Sequence, residues 1–200
     1  VVAAEVKGDL LLIAGKPFPI AVNKPRTALV DTIQQHGFQQ TMDKVAYSWF
    51  NRLCAIRYME LKDYLGHGRR VLSHPDNPGS FQILDECLDI DLPGLDKAKV
   101  RQLKLDGTKD EELYRELLLS QCHALHEAMP FLFEQIDDET ELLLPDNLTK
   151  TDSLIKELVT AIPEDDWANI EIIGWLYQFY ISEKKDEVIG KVVKSEDIPA

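Results

Sequence analysis

The sequence predicts a mainly α-helical, multi-helix domain, with a small β-hairpin over residues 1–22 and a helical region over 23–200. Three observations predict it. Residues 40–61 are apolar nearly all round at helical spacing. Residues 167–185 repeat that pattern and carry two of the three tryptophans, and helix start and stop signals punctuate the chain between them. The two apolar stretches are expected to be central helices packed on each other around Trp49 and Trp175.

The elements follow in order. In EVKGDLLLIAGKPFPI, from Glu5, the apolar run Leu10 to Ala14 meets the turn signal Gly15-Lys16-Pro17 and a second apolar piece, which predicts the hairpin. Pro25 opens a helix through Gln35, with Ala28, Leu29 and Ile33 on its apolar face and Gly37 as its stop. The next helix, residues 40–61, has Val45, Trp49, Leu53 and Ile56 on one line. Ala46, Phe50, Cys54, Arg57 and Leu61 form another, and Lys44, Ser48 and Asn51 leave a narrow polar strip. A charge at Arg57 on such a face calls for an acidic partner from another helix. Residues 62–80 are rich in Gly, Pro, His and Asn, the composition of a loop, and are expected to be the most mobile one.

A short helix over residues 81–88 leads through Leu92-Pro93-Gly94 to a helix capped by Asp96 and ended by Gly107. Asp110 is expected to cap a long helix through His126 with the apolar line Leu113, Leu117, Leu118, Gln121, Leu125, which Met129-Pro130 interrupts; FLFEQI continues as a separate turn or short helix. Thr151 or Asp152 should cap a helix to Ile162. Pro163 with Glu164, Asp165 and Asp166 then makes an acidic first turn for the terminal helix, and Lys184 and Lys185 close it with positive charge. Trp167, Ile170, Gly174, Tyr177 and Ile181 fall on one line of that helix. A glycine costs roughly 1 kcal/mol against alanine in a helix interior, so Gly174 suggests a second backbone passing close.

Composition bounds the function. Hydrophobic residues at 44% and charged residues at 28% are ordinary for a soluble domain, and no apolar run approaches the roughly 20 residues of a membrane span. With no signal peptide pattern at its start, the chain reads as cytoplasmic. Cys54, Cys87 and Cys122 lack CxxC spacing, so neither a disulfide framework nor a zinc cluster is indicated. Residues 1–100 hold 12 Lys and Arg against 12 Asp and Glu, whereas residues 101–200 hold 10 against 23, so the whole net charge of -13 sits in the second half. Phosphate contacts supply most non-specific affinity for DNA, which directs any such contact to the first half.

Within that half, Arg69 and Arg70 are adjacent in the Gly-rich loop near His67 and His74 and are the DNA-contact candidates; Arg52, on the apolar helix, is a third if it emerges at a domain boundary. A two-residue basic patch is also common on any surface. Cys122, His123, His126 and Glu127 crowd one helix, but their spacing departs from HExxH, and histidines that bridge neighbouring elements are the simpler reading. Glu5-Val6-Lys7 and Glu183-Lys184-Lys185 each match the acidic-x-Lys half of a nuclease motif that would hold magnesium, a pattern short enough to be surface ion pairs. The six carboxylates from Glu134 to Asp146, with no Lys or Arg among them, lack the calcium-loop pattern and suit a solvated connection or a face that attracts a basic partner.

Four blocks carry a family resemblance: IEIIGWLYQFYISEKKDEVIGKVVKSEDIPA at the end, VAYSWFNRLCAIRYMEL from Val45, LLLSQCHALHEAMPFLFEQIDDETELLLPDNL from Leu117, and VLSHP from Val71. Together they span residues 5–200, and they closely resemble the N-terminal region of the PglX family, adenine-specific DNA methyltransferases of BREX phage defence. Large restriction-type enzymes that fuse a methyltransferase to other domains are more loosely similar. The resemblance implies a parent enzyme that transfers a methyl group from S-adenosylmethionine to the exocyclic amino nitrogen of adenine in DNA. It also implies that the cofactor segment and the catalytic Asn-Pro-Pro-Tyr or Asp-Pro-Pro-Tyr tetrapeptide lie beyond Ala200. On that reading this stretch holds no catalytic, cofactor-binding or metal-binding residue. The helical spacing makes Trp49, Phe50, Arg57, Trp167, Gly174, Trp175 and Tyr177 the expected structural core, and the resemblance implies as partners DNA, through the whole enzyme, and other BREX proteins.

Overall fold

In a computed structural model the structure describes residues 2–130, 133, 138–168, 171 and 174. The fold is mainly helical, as the sequence predicts, with seven α-helices among the described residues and a small antiparallel sheet at the start. Two compact units divide the chain, residues 1–157 and 158–200.

The expected hairpin is the second half of a three-stranded meander, β1 (Ala4–Lys7), β2 (Leu10–Ile13) and β3 (Lys16–Pro19), in the order β1-β2-β3. Gly8, at φ 59°, makes the extra turn that adds β1. Val6, Leu11 and Phe18 form one cross-strand row, in which Leu11 is fully buried. In β3, Pro17 and Pro19 have no N–H, so they fall where no ladder bond to β2 is required and leave its outer edge without donors at both positions.

Helix α1 (Asn23–His36) ends at Gly37, whose φ of 83° is open to glycine, and α2 (Phe38–Leu61) follows at once. The burial of α2 is graded. Its C-terminal part, with Trp49, Leu53, Cys54, Ile56 and Arg57, lies in the core, while Phe50 and Val45 are half-buried and Ala46 is exposed, so the all-round apolar character does not become all-round burial. Next come α3 (Gln82–Asp85) with a 3-10 turn at Cys87–Asp89, α4 (Lys97–Asp106), α5 (Asp110–Ala128), α6 (Asp138–Glu141) and α7 (Leu154–Ala161). Asp96 caps α4 as expected, its Oδ1 accepting from Ala98 N at 2.9 Å and Lys99 N at 3.1 Å, and Gly107 takes the left-handed stop. Two caps differ from the reading. Lys109 precedes α5, so Asp110 is its first helical residue, where its charge meets the helix dipole. At α7, buried Ser153 caps instead of Thr151 or Asp152, its Oγ accepting from Lys156 N at 3.2 Å.

In the second unit, Pro163 leads into a 3-10 turn at Glu164–Ala168. Trp167 is fully buried there and donates its indole N–H to Ile162 O at 3.3 Å. Glu171 and Gly174 are helical and exposed, and no described atom comes within 4 Å of a Cβ built at Gly174; the close backbone approach expected there has no counterpart among the described residues. Trp175, Tyr177 and the proposed Trp49–Trp175 packing lie outside the described residues, as does FLFEQI apart from Phe133.

Candidate functional site

Residues 62–80 form the loop that their composition suggests, with a buried stretch at its centre. Val71, Leu72 and Ser73 are buried and form a strap clamped between three helices. Glu60, on the last turn of α2, organises it. Its Oε2 accepts from Val71 N and Leu72 N, both at 2.7 Å, while Oε1 accepts from Arg57 Nη1 at 2.6 Å and Ser73 Oγ at 3.0 Å. Arg57 Nη1 also donates to Ser73 Oγ at 2.8 Å. Among the described residues the acidic partner of Arg57 sits three residues along its own helix, because at i, i+3 both side chains share the buried face. From α5, Tyr114 donates its hydroxyl to Val71 O at 3.0 Å and stacks on Phe81 with centroids 4.2 Å apart; burial pushes its pKa well above the usual value. Gln82 N donates to Ser73 O at 2.9 Å and Ile83 N to Arg70 O at 2.9 Å, which fixes α3 to the other edge of the strap.

Beside the strap lies a cleft of about 660 Å³ between residues 59–69, the turn at 89–93 and the C-terminal half of α5. Its walls are mostly apolar. The polar groups on it are linked: Arg69 N donates to His67 Nδ1 at 3.1 Å, and His67 Nε2 is 2.7 Å from Gln121 Oε1. Arg69 extends its guanidinium to Glu86 Oε2 at 3.0 Å and to His67 O at 2.8 Å. Hydrogen bonds from Gln82 and from Arg69 hold the Glu86 carboxyl below its usual range.

The candidate DNA contacts are distributed unequally by this geometry. Arg52 is buried, donating to Ser48 Oγ with its guanidinium 5.8 Å from the centre of the Trp49 ring, so it does not emerge at the surface of its unit. Arg69 and Arg70 are half-buried, the first in an ion pair with Glu86 and the second accepting Ile83 through its backbone. Trp49 donates its indole N–H to Thr140 O at 3.3 Å.

The histidine cluster does not converge on a point. Cys122 is buried, His123 is exposed and 3.3 Å from Glu141, and His126 Nδ1 meets Phe133 O at 2.6 Å, the bridging role that the spacing favours. No group of three potential metal ligands occurs among the described residues. Burial raises the thiols of Cys54 and Cys122 to about 12 and raises that of Cys87 as well, so none is an activated nucleophile. Glu5 and Lys7 are exposed and pair with each other at 3.7 Å, whereas 183–185 lie outside the described residues. No helix among the described residues is long and apolar enough to cross a membrane. Sequence reasoning missed Glu60, and it placed Gln121 on the apolar line of its helix without giving it a role. The signal for both was a polar residue at a position whose helical neighbours are apolar.

Two relatives match the chain closely. It is 58% identical over 200 residues, 98% of its length, to the adenine-specific methyltransferase BrxX of Escherichia coli O9:H4 (strain HS). It is 41% identical over 172 residues, 80% of its length, to the adenine-specific methyltransferase PglX of Lacticaseibacillus casei (strain Zhang). No family model matches it. The chain spans 16% and 14% of the lengths of these two relatives. The chain is therefore homologous, over nearly all of its own length, to a short segment of the adenine-specific methyltransferase BrxX and, over four fifths of it, to one of PglX.

Proposed function

We propose that the chain is the N-terminal helical region of a site-specific adenine-N6 DNA methyltransferase of BREX phage defence, and that it buttresses the catalytic domain without carrying catalysis. The observation behind this reading is the match itself: 58% identity over 98% of the chain, against a methyltransferase of which it makes up only 16%. The use of its buried polar groups supports it, since Arg57, Glu60 and Tyr114 are engaged in holding the strap. In the whole cytoplasmic enzyme, S-adenosylmethionine would supply the methyl group, and the target adenine would leave the duplex to receive it. Any phosphate contact from this segment is assigned to Arg69 and Arg70, because Arg52 is buried.

The test compares the whole enzyme, the enzyme lacking this segment and the segment alone, by transfer of labelled methyl groups to DNA and by calorimetric titration with S-adenosylmethionine. The segment alone is expected to bind no S-adenosylmethionine and to transfer nothing, and its removal to impair the whole enzyme. Donor binding by the isolated segment would sink the proposal. Replacing Arg69 and Arg70 by alanine in the whole enzyme should lower DNA affinity and flatten its salt dependence; unchanged values remove the phosphate contact.

A second reading is favoured by the -13 charge of residues 101–200, which suits a basic partner among the other BREX proteins. Salt-sensitive retention of one of them on the immobilised segment would support it.

A further inference from the structure

The cleft beside the strap holds a polar group that the strap leaves unused. An N–H can only donate, so the bond from Arg69 N to His67 Nδ1 leaves that nitrogen without a proton and puts the proton on Nε2. Nε2–H therefore donates to Gln121 Oε1, and the Gln121 carboxamide presents its NH2 to the cleft. Gln121 is only 3% exposed, and no other described residue accepts from that nitrogen. An amide donor on the wall of a mostly apolar cleft is open to an acceptor on a bound molecule as its partner.

The walls select what that partner is. Tyr64, Leu92 and Met129 offer apolar surface, and the volume lies within the range of roughly 300–1,000 Å³ occupied by small-molecule sites. The charges on the cleft are mostly compensated, Arg69 by Glu86 and Asp91 by Lys97 at 2.8 Å, while exposed Asp89 adds negative charge. That balance disfavours an anion. We propose that this cleft is a binding site for a small, uncharged, flat ligand whose carbonyl oxygen accepts from Gln121 Nε2 and whose ring lies against Tyr64, Leu92 and Met129. The inference goes beyond the buttress reading and does not depend on it.

Benzamide is the probe, with benzoate as the charged arm and toluene as the arm without an acceptor, each titrated into the 200-residue chain and followed by ¹H–¹⁵N spectra. Benzamide should shift the Gln121 side-chain amide saturably and bind about five-fold tighter than benzoate or toluene, the scale of one hydrogen bond. Gln121→Leu should weaken benzamide about five-fold and leave toluene unchanged. The absence of saturable binding, equal affinity for toluene, or an unaffected Gln121→Leu overturns the proposal. If that variant does not fold, the wild-type titration decides, through a nuclear Overhauser contact between the benzamide ring protons and the Gln121 NH2.

Discussion

Glu60 accepts four hydrogen bonds in a fully buried setting, two from successive backbone amides, one from a guanidinium and one from a hydroxyl. Removing the carboxylate takes its counter-charge from buried Arg57 and leaves the Val71 and Leu72 N–H groups without their acceptor. Glu60→Ala should therefore destabilise the fold by about 3–5 kcal/mol, read as a lower urea midpoint. A loss below about 1 kcal/mol would mean that water enters to replace it. The thiols give a second test. With Cys54 and Cys122 raised from 9.0 to about 12, their contribution to stability is complete below about pH 9 and declines as the pH climbs toward 12. The melting temperature should fall across that window, and replacing both cysteines with alanine should flatten the alkaline limb. At this scale the sequence was only partly legible. Trp49 and Arg57 announce burial by their apolar surroundings, but Glu60 faces a strap eleven residues away in sequence, and no periodicity reveals a partner held in a loop.

At the scale of elements, legibility depended on how many residues competed for a role. Asp96 is followed at once by a helical run and caps α4 through two amides; Asp96→Ala should cost about 1 kcal/mol in thermal unfolding, and Asp96→Asn much less. At α7, Thr151, Asp152 and Ser153 are three consecutive cap formers, and the choice falls to Ser153 because it is the buried one. Ser153→Ala should reproduce the loss of about 1 kcal/mol, whereas Asp152→Ala should change little. The stretch 62–80 was legible as a loop, but the strap inside it was not, for a related reason. Its Gly, Pro and Asn describe the ends, and the short apolar run Val71-Leu72 that makes it a strap is too brief to show periodicity.

For the whole molecule, fold class was the most legible property, because long amphipathic stretches and the Gly37 and Gly107 stops survive any error at single positions. Packing between helices was not, since the faces of a nearly all-apolar helix look alike; α2 buries its C-terminal part much more than its start. The charge distribution also acts at this scale. A chain at -13 repels itself, so raising NaCl from about 10 mM to about 150 mM should raise the melting temperature as the screening length falls. A decrease would mean that surface pairs such as Lys99–Glu116 outweigh the repulsion.

The strap also carries a consequence for synthesis. Val71 and Leu72 are gripped by Glu60, already translated, and Val71 also by Tyr114, forty-three residues later. A nascent chain leaving the ribosome from its N-terminus must hold the Arg57–Glu60 pair in water until α5 emerges, so the first half cannot settle while the polypeptide is still short.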